Sequence, residues 1–322
     1  MTFSLFARAA IAAALLAAAA QAAAQDYPTR PVRMIVGFAA GGGTDTTARP
    51  IAQKLSELFG QQVIVDNRPG AAGNIATDIV AKASPDGYTI LMGTIAALAI
   101  NPSLYTNLPF DPERDLAPVT QAVDSTNILS LHPSVPANSV KELIALARSK
   151  SLNYGSSGVG ATGHLAGELF NLMTGVKLVH VPYKGGAPAM VDLVAGRVEL
   201  VFATAASAVP QIKAGKIKGI AVTTAKRSAL MPELPTIAEA GLAGYDANNW
   251  YGLMVPASTP RAIIDRLNAE TVKVLNMPDV KGFLFNQGLE AAPSTPEEFG
   301  AYIRSERAKW AKIVKASGAK AE

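Results

Sequence analysis

The feature that most constrains the fold is a run of strand-forming residues that passes through three glycines directly into a helix. Residues 32–38 favour a strand, residues 41–43 are all glycine, and apolar residues recur at helical spacing from Thr44 to residue 59. Thr44 and Asp45 are residue types that cap helix N-termini. Glycine lets a ligand approach the main chain, and the free N–H groups of a helix N-terminus attract anions. The stretch predicts either an ordinary tight loop or an anion-binding loop.

The same strand–loop–helix unit recurs along the chain. Residues 32–92 give strand, helix, strand, helix and strand, which is the repeating unit of an open parallel sheet. A second series begins near residue 152, has a glycine-rich loop at residues 155–163, and continues to residue 223. Ligands of open α/β sheets bind beyond the carboxyl ends of the strands. Two such series predict a cleft with glycine-rich loops on both sides.

The chain length of 322 residues predicts two domains, because a single hydrophobic core rarely grows so large. Strands at residues 119–123 and 250–255 stand where the chain would cross between them. We expect an α/β fold with a discontinuous first domain (residues 25–122 plus 246–322), a second domain (residues 123–245) and a hinge of two segments. Hinged domains of this kind close on a small molecule in the cleft.

Several helices carry start signals or an apolar face. Ser139 and Glu142 form a capping box, and Thr295 and Glu298 form another. Two amphipathic helices are predicted after residue 256, whereas residues 94–118 show no regular pattern. The helix after the second glycine-rich loop is expected to bury one face, made of Leu165, Leu169, Leu172 and Met173.

The first two dozen residues have the pattern of a secretory signal peptide. Arg8 supplies a weak positive region, residues 9–20 are apolar, and three alanines at 22–24 precede a cut near Gln25. The apolar run is too short for a typical membrane span, although an uncleaved anchor is the alternative. We therefore expect residues 1–24 to be removed and the mature protein to be exported and soluble.

Composition excludes several classes of function. The chain contains no cysteine, which rules out thiolate catalysis, iron–sulfur clusters and cysteine-bound zinc. Its formal charge is +4, and the basic residues are scattered apart from a cluster near residues 304–315. Because nucleic-acid binding usually needs a basic patch or stripe, no nucleic-acid partner is expected. A monomer is the default expectation.

The catalytic motifs are incomplete. The glycines of residues 155–160 have phosphate-loop spacing, but Ala161, before Thr162, stands where the motif requires Lys. Val159 replaces the closing glycine of a nucleophile elbow. His164 and Glu168 lie one helical turn apart without a third metal ligand, which favours a helix surface, and His180 favours a structural role in a strand. No cofactor, metal or enzymatic activity is expected.

Hydroxyl groups and glycine N–H groups dominate the predicted loops. These neutral donors suit a carboxylate or another small anion, and the loops contain no arginine to clamp one. The hydroxyls belong to Thr44, Thr94, Ser156, Ser157, Thr162 and Thr204. Lys184 either adds a positive charge or is solvated. Phe38, Tyr183 and Trp250 either line a pocket or belong to the core.

Six short motifs, taken in order, resemble the Bug family of periplasmic solute receptors, which serve tripartite tricarboxylate transporters. They are YPTRP (27–31), GGGTD (41–45), DNRPG (66–70), PDGYT (85–89), VPYKGG (181–186) and WYGL (250–253). The resemblance covers nearly all of the chain beyond the predicted signal peptide. It implies a type II periplasmic-binding-protein fold, a periplasmic location, permease components as partners, and a small organic ligand that is usually a carboxylate. Main-chain groups, hydroxyls and bridging waters hold such ligands in this family.

The resemblance also implies positions for the ligand. On one side it would lie against Phe38, Gly43, Thr44 and Asp45, and on the other against Ser156, Ser157, Gly160, Thr162, Tyr183 and Thr204. Many members have two prolines where this chain has Ala39 and Ala40. Because like charges repel, Asp45 is expected to cap its helix unless the ligand carries an ammonium or another donor.

The leading hypothesis is a non-enzymatic receptor that delivers a small carboxylate to a membrane transporter. One alternative is a sensor that presents its ligand to a membrane signalling protein, because both roles need the same closed, loaded form. The other is a secreted hydrolase that uses Ser156 or Ser157 as its nucleophile.

Overall fold

The computed structural model describes residues 27–183 and 185–318. The predicted signal peptide with its cleavage point, and the interpretations of Lys184, lie outside the described residues. Within the described part, no helix has both the length and the apolar character that a membrane span requires.

The strands of the described chain form two sheets. The first has the order β11-β4-β10-β3-β1-β2, and the second has the order β7-β6-β8-β5-β9. Their bounds are β1 (Val32–Val36), β2 (Val63–Asn67), β3 (Thr89–Thr94), β4 (Leu116–Ser125), β5 (Asn127–Leu131), β6 (Asn153–Ser156), β7 (Val179–Pro182), β8 (Leu200–Thr204), β9 (Lys218–Val222), β10 (Asn249–Pro256) and β11 (Leu289–Ala291).

Helices cover these sheets. They are α1 (Gly43–Phe59), α2 (Asn74–Ala81), α3 (Asn101–Leu104), α4 (Pro112–Asp115), α5 (Val140–Ser149), α6 (Thr162–Thr174), α7 (Gly186–Val194), α8 (Ala205–Lys213), α9 (Arg261–Leu275), α10 (Pro278–Asn286) and α11 (Pro296–Ser317). A π-helical turn, Ala96–Ile100, precedes α3.

The parallel units expected from the sequence are present in both sheets. β1 pairs in parallel with β2 and β3, and β6 pairs in parallel with β7 and β8. Met34, Ile35 and Val36 of β1 are all fully buried, since a central parallel strand is covered on both faces. The glycine-rich loops therefore follow the carboxyl ends of central strands, where side chains from neighbouring strands also converge.

The chain changes sheets at two adjacent places. β4 belongs to the first sheet up to Ser125, and β5 of the second sheet begins at Asn127, so one residue separates them. The return strand, β10, begins at Asn249, which lies directly opposite Ser125. The sheets thus change at slightly later residues than the predicted domain limits at 122/123 and 245/246, and those limits stay a prediction.

Four local predictions were wrong. The first helix begins at Gly43 and its N-cap is Gly42, so Thr44 and Asp45 lie inside the first turn. Residues 95–104, expected to be irregular, are helical and almost completely buried, which leaves no amphipathic pattern to detect.

Leu172 and Met173 are 45% and 38% exposed, because they lie near the end of α6 where the sheet no longer covers the helix. The fourth error is that α10 and β11 were missed. In α10, Phe283 and Phe285 face outward, which obscures its apolar face.

Other sequence signals are confirmed. The Thr295 hydroxyl accepts from the Glu298 N–H at 3.2 Å, and Glu298 accepts from the Thr295 N–H at 2.9 Å, which completes the capping box of α11. Trp250 belongs to the core, since it is fully buried and its ring meets the Phe299 ring edge-on at 5.4 Å.

Candidate functional site

The glycine-rich loop of the second sheet lies against residues of the first domain. A Cβ atom on Gly160 would be 2.9 Å from Leu104 Cδ2, 3.1 Å from Asn101 Oδ1 and 3.9 Å from the Ala72 side chain. Gly160 also has a φ of +80°, a conformation that favours glycine. The two halves of the molecule therefore meet at this loop, and we call residues 156–161 the second loop and residues 37–42 the first loop.

Asp45 holds the first loop together. It is 2% exposed and accepts hydrogen bonds from the Gly41 N–H (2.9 Å), Arg49 Nε (2.8 Å) and Asn67 Nδ2 (3.0 Å). Asn67 also donates to the Phe38 carbonyl at 2.9 Å. Burial raises the pKa of Asp45, but the three hydrogen bonds and the charge of Arg49 together lower it by more, so the carboxyl is ionised. Because both oxygens already have donors, the geometry gives Asp45 a positioning role.

A polar cluster beneath the first loop was not predicted from the sequence. The hydroxyl of the buried Tyr251 lies 2.8 Å from where a Gly43 Cβ would be, and it hydrogen-bonds to Thr44 and Ser125. It also accepts from Asn249 Nδ2 at 3.2 Å. Burial raises the pKa of Tyr251, so its hydroxyl stays neutral. The cluster joins the start of α1, directly after the first loop, to both strands at which the sheets change.

Phe38 and Thr94 lie together at the ends of β1 and β3. A Cβ on Gly73 would be 3.4 Å from Phe38 Cε2 and 3.8 Å from Thr94 Oγ1, and Ala97 lines the same small recess. Thr94 is 4% exposed, and its hydroxyl has no hydrogen-bond partner in the structure. A buried hydroxyl without a partner costs free energy, which is typical of a group that waits for a ligand or a water.

The two serines of the second loop differ in their surroundings. Ser156 is 1% exposed, lies 2.6 Å from His180 Nε2, and hydrogen-bonds to both the N–H and the carbonyl of Gly158. Ser157 is exposed at the surface of the loop. The Ser156 hydroxyl is therefore used inside the loop, and Ser157 is free to meet a ligand.

The expectation that His164 lies on a helix surface was wrong. His164 is 6% exposed, and its Nδ1 accepts a hydrogen bond from the Gly160 N–H at 3.2 Å. Its ring stacks on that of His180 with centroids 4.1 Å apart. Burial lowers the pKa of His164 to about 4, and burial together with His164 lowers that of His180 to about 3. Both imidazoles are therefore neutral near pH 7.

Ser156 and His180 form the serine–histidine pair that the sequence did not reveal. They meet because β6 and β7 are parallel neighbours, with Tyr154 opposite His180. A histidine whose pKa is about 3 is a weak base, and the serine is buried and bonded within its loop. The pair is better suited to shaping the loop than to nucleophilic attack. Among the described residues, no three metal-ligating side chains come together.

The remaining predicted residues surround the carboxyl ends of the second sheet. Tyr183 donates to Asp192 Oδ2 at 2.8 Å, and burial together with Asp192 raises the pKa of Tyr183 to about 12. Thr204 Oγ1 lies 3.2 Å from Ser207 Oγ. Thr162, at the start of α6, accepts from Asn127 Nδ2 at 3.3 Å.

Two asparagines that sequence reasoning missed also lie in this region. The side-chain oxygens of Asn127 and Asn101 are fully buried and have no partner in the structure. Asn127 is the first residue of β5, and Asn101 faces Gly160 across the two halves. Neither stands in a recognisable motif, so only the strand register and the packing between the halves bring them to the site.

Residues 47–319 match the family described as the tripartite tricarboxylate transporter family receptor. The chain belongs to this family. Protein BugT of Bordetella pertussis is 36% identical over 305 residues, covering 94% of each protein. A protein of Pseudomonas sp. strain P51, from the tcbD–tcbE intergenic region, is 38% identical over 291 residues, which are 89% of this chain and 86% of the relative.

Solved structures show the same fold. R. palustris Rpa4515 with adipate is 42% identical, covers 91% of this chain and 98% of its own, and superposes with a TM-score of 0.85. The periplasmic binding protein BugD is 35% identical, covers 92% and 100%, and has a TM-score of 0.83. MatC from Rhodopseudomonas palustris with bound malate is 30% identical, covers 89% and 100%, and has a TM-score of 0.82. The predicted Bug-family membership and type II periplasmic-binding-protein fold are confirmed, and this receptor is periplasmic.

Proposed function

We propose that this receptor binds a small aliphatic dicarboxylate between its two domains, without chemical turnover, and delivers it to the permease components of its transporter. The observation that carries the proposal is the buried Thr94 hydroxyl, which has no partner and can donate to a carboxylate. Asn101 Oδ1 and Asn127 Oδ1 are also without partners, and because they accept, a bridging water or a ligand hydroxyl would satisfy them. Such atoms need partners from a bound molecule or from ordered water. The adipate and malate in the related structures are both dicarboxylates, which supports this choice of ligand.

The proposed site divides the predicted residues into two groups. Those that we assign to ligand contact are Phe38, Gly43, Thr44, Thr94, Ser157, Gly160, Thr162 and Thr204. Among them, the Thr94 hydroxyl has no partner and Ser157 is exposed, whereas Thr44, Gly160, Thr162 and Thr204 each make a hydrogen bond to a neighbouring residue. Asp45, Ser156 and Tyr183 make the hydrogen bonds that hold the loops, and we assign them to positioning. The charge of Asp45 is balanced by Arg49, so the first loop presents neutral donors to a carboxylate.

The direct test is native mass spectrometry of the mature protein, followed by thermal denaturation and calorimetry with adipate and malate. Adipamide, which has the shape of adipate without its charges, is the matched control. A specific dicarboxylate at 100 times its Kd should stabilise the folded state by about 2.7 kcal/mol, and adipamide should not. Equal responses to adipate and adipamide, or none to any acid, would overturn the carboxylate assignment.

Export, assembly and absence of turnover belong to the same proposal. We expect N-terminal sequencing of the periplasmic protein to start at Gln25, and sedimentation to give a monomer. Cross-linking in cells that carry the transporter should capture a permease component when the receptor is loaded. No ester should be hydrolysed, and Ser156→Ala should leave any background rate unchanged. Ester turnover that disappears in Ser156→Ala would instead establish the hydrolase alternative.

A further inference from the structure

We propose that His164 and His180 are positioning residues which, as stacked neutral imidazoles, fix the shape of the second loop and make ligand affinity fall when they take up protons. The inference rests on the proposed function, because it assumes that the second loop contacts the ligand.

Each ring makes a different hydrogen bond to the second loop. His164 Nδ1 accepts from the N–H of Gly160, and His180 Nε2 bonds to the Ser156 hydroxyl. Through that hydroxyl, His180 also holds both main-chain polar groups of Gly158. The two histidines therefore hold Ser156, Gly158 and Gly160, which lie at the start, the middle and the end of the second loop.

The loop needs such external support because of its own composition. Gly158 and Gly160 have φ values of +133° and +80°, and glycine adopts many alternative conformations at little cost. Gly160 is also the residue that contacts Asn101 and Leu104 of the first domain. A displaced second loop would alter both the ligand contacts and the fit between the domains.

The histidine pair is itself packed against Tyr154 of β6. The Tyr154 ring lies against His180 with centroids 4.9 Å apart, and the Tyr154 hydroxyl donates to Glu168 at 2.6 Å. The absence of a side chain on Gly167 leaves room for the Tyr154 ring against α6. Residues of β6, β7 and α6 thus form one continuous stack beneath the second loop.

Protonation would break this arrangement in two ways. His164 Nδ1 can accept from Gly160 only while it carries no proton, and a second charge would repel the first across 4.1 Å. The titratable groups that face the rings are Tyr154, Glu168 and the other histidine, with Glu168 Oε1 4.0 Å from His164 Nε2. Glu168 favours a protonated His164, but burial is the stronger effect and keeps the pKa of both rings low.

The test compares variants that keep or remove one acceptor atom. In His164→Asn, the amide oxygen takes the place of Nδ1 and does not titrate, whereas His164→Phe keeps a ring without an acceptor. His132→Asn is the matched control, because His132 bonds to Ser134 away from the second loop. Adipate affinity is measured by calorimetry from pH 7.5 to 3.5, which spans the pKa of His164. Each affinity is expressed relative to wild type at the same pH, so that protonation of adipate itself cancels, and circular dichroism at each pH checks that the variant is folded.

We expect wild type and His132→Asn to lose affinity together as the pH falls. His164→Asn should bind within about threefold of wild type at pH 7.5 and lose less affinity in acid. His164→Phe should bind about tenfold more weakly at pH 7.5, the loss expected for one hydrogen bond. Wild-type affinity in His164→Phe, or a pH profile of His164→Asn that follows wild type, would overturn the inference.

Failure of the proposed function is a separate result, seen as no dicarboxylate binding by wild type at pH 7.5. The inference is then tested without ligand, by hydrogen exchange of the Gly160 amide in wild type and His164→Phe. Slow exchange in wild type and fast exchange in the variant would support it, and equal rates would overturn it.

Discussion

Single polar residues around the cleft fall into two kinds. Asp45, Ser156 and Tyr183 use their polar atoms in hydrogen bonds to neighbouring residues. Thr94 and Asn127 instead keep a buried oxygen without a partner. Groups of the first kind should affect folding when they are removed, and groups of the second kind should affect ligand affinity.

Replacing Thr94 by valine tests the second kind. The side chains have similar shapes, so Thr94→Val removes an unpartnered hydroxyl and should leave the free energy of unfolding unchanged or raise it by up to about 1 kcal/mol. Adipate affinity should fall about tenfold. Thr77→Val is the control, because Thr77 donates to the Gly73 carbonyl at 2.9 Å and its loss should cost about 1 kcal/mol. Urea denaturation and calorimetry measure both quantities, and unchanged adipate affinity would remove Thr94 from the site.

Replacing Asp45 by alanine tests the first kind. Three donors lose their acceptor, and we expect a loss of about 3 kcal/mol in the free energy of unfolding, measured by urea denaturation. Asp265→Ala removes an exposed carboxylate paired with Arg261 on the surface of α9 and should cost less than about 0.5 kcal/mol. Similar losses in the two variants would show that the carboxylate of Asp45 does not hold the first loop.

At the scale of elements, α6 approaches its sheet more closely than a side chain would allow. A Cβ on Gly163 would lie 2.6 Å from the Phe202 carbonyl oxygen, which belongs to the rigid backbone of β8. This close approach brings the start of α6, and with it the second loop, to the edge of the sheet.

Gly163→Ala should therefore lower the free energy of unfolding by about 3 kcal/mol or prevent folding, because neither backbone can move aside. Gly282→Ala, in α10, is the matched control: its Cβ meets nothing within 4 Å, and alanine should stabilise the helix by about 0.5–1 kcal/mol. Chemical denaturation compares the two, and a neutral Gly163→Ala would show that α6 can shift.

The elements that could be predicted from the sequence are those that a short sequence pattern specifies. The strands other than β11, the glycine-rich loops and the capping box at Thr295 follow from short patterns, and they were found. The helical stretch at residues 96–101 was missed because all of its residues are buried, so no polar side alternates with an apolar one. The polar cluster around Tyr251 and the stack of His164 on His180 depend on strand register, which a single sequence does not reveal.

For the whole molecule, the buried histidines predict a specific dependence of stability on pH. An unfolded histidine has a pKa near 6.5, above the folded values of His164 and His180, so the unfolded state binds more protons in acid. Their contribution to stability is complete above pH 6.5 and is lost as the pH falls toward 4. We expect each to cost on the order of 2 kcal/mol at pH 5.

The double variant His164→Asn, His180→Gln separates the contribution of the two histidines to the pH dependence of stability from that of the carboxylates. Its free energy of unfolding should change less between pH 6.5 and 5 than that of wild type, as measured by urea denaturation at each pH. Parallel curves for the two proteins would show that the histidine pair does not govern the loss.

The strand order of the first sheet has a consequence for when this receptor folds. β10 lies between β3 and β4, so β3 and β4 have no partner at the centre of the first sheet until residues 249–256 pair with them. The second sheet uses only residues 127–222 and depends on shorter connections. Pulsed hydrogen exchange during refolding should therefore protect amides of β5 and β8 before those of β4 and β10, and the reverse order would contradict this. A chain whose larger sheet forms late stays unfolded for longer during synthesis. Passage through a translocation channel requires such an unfolded chain.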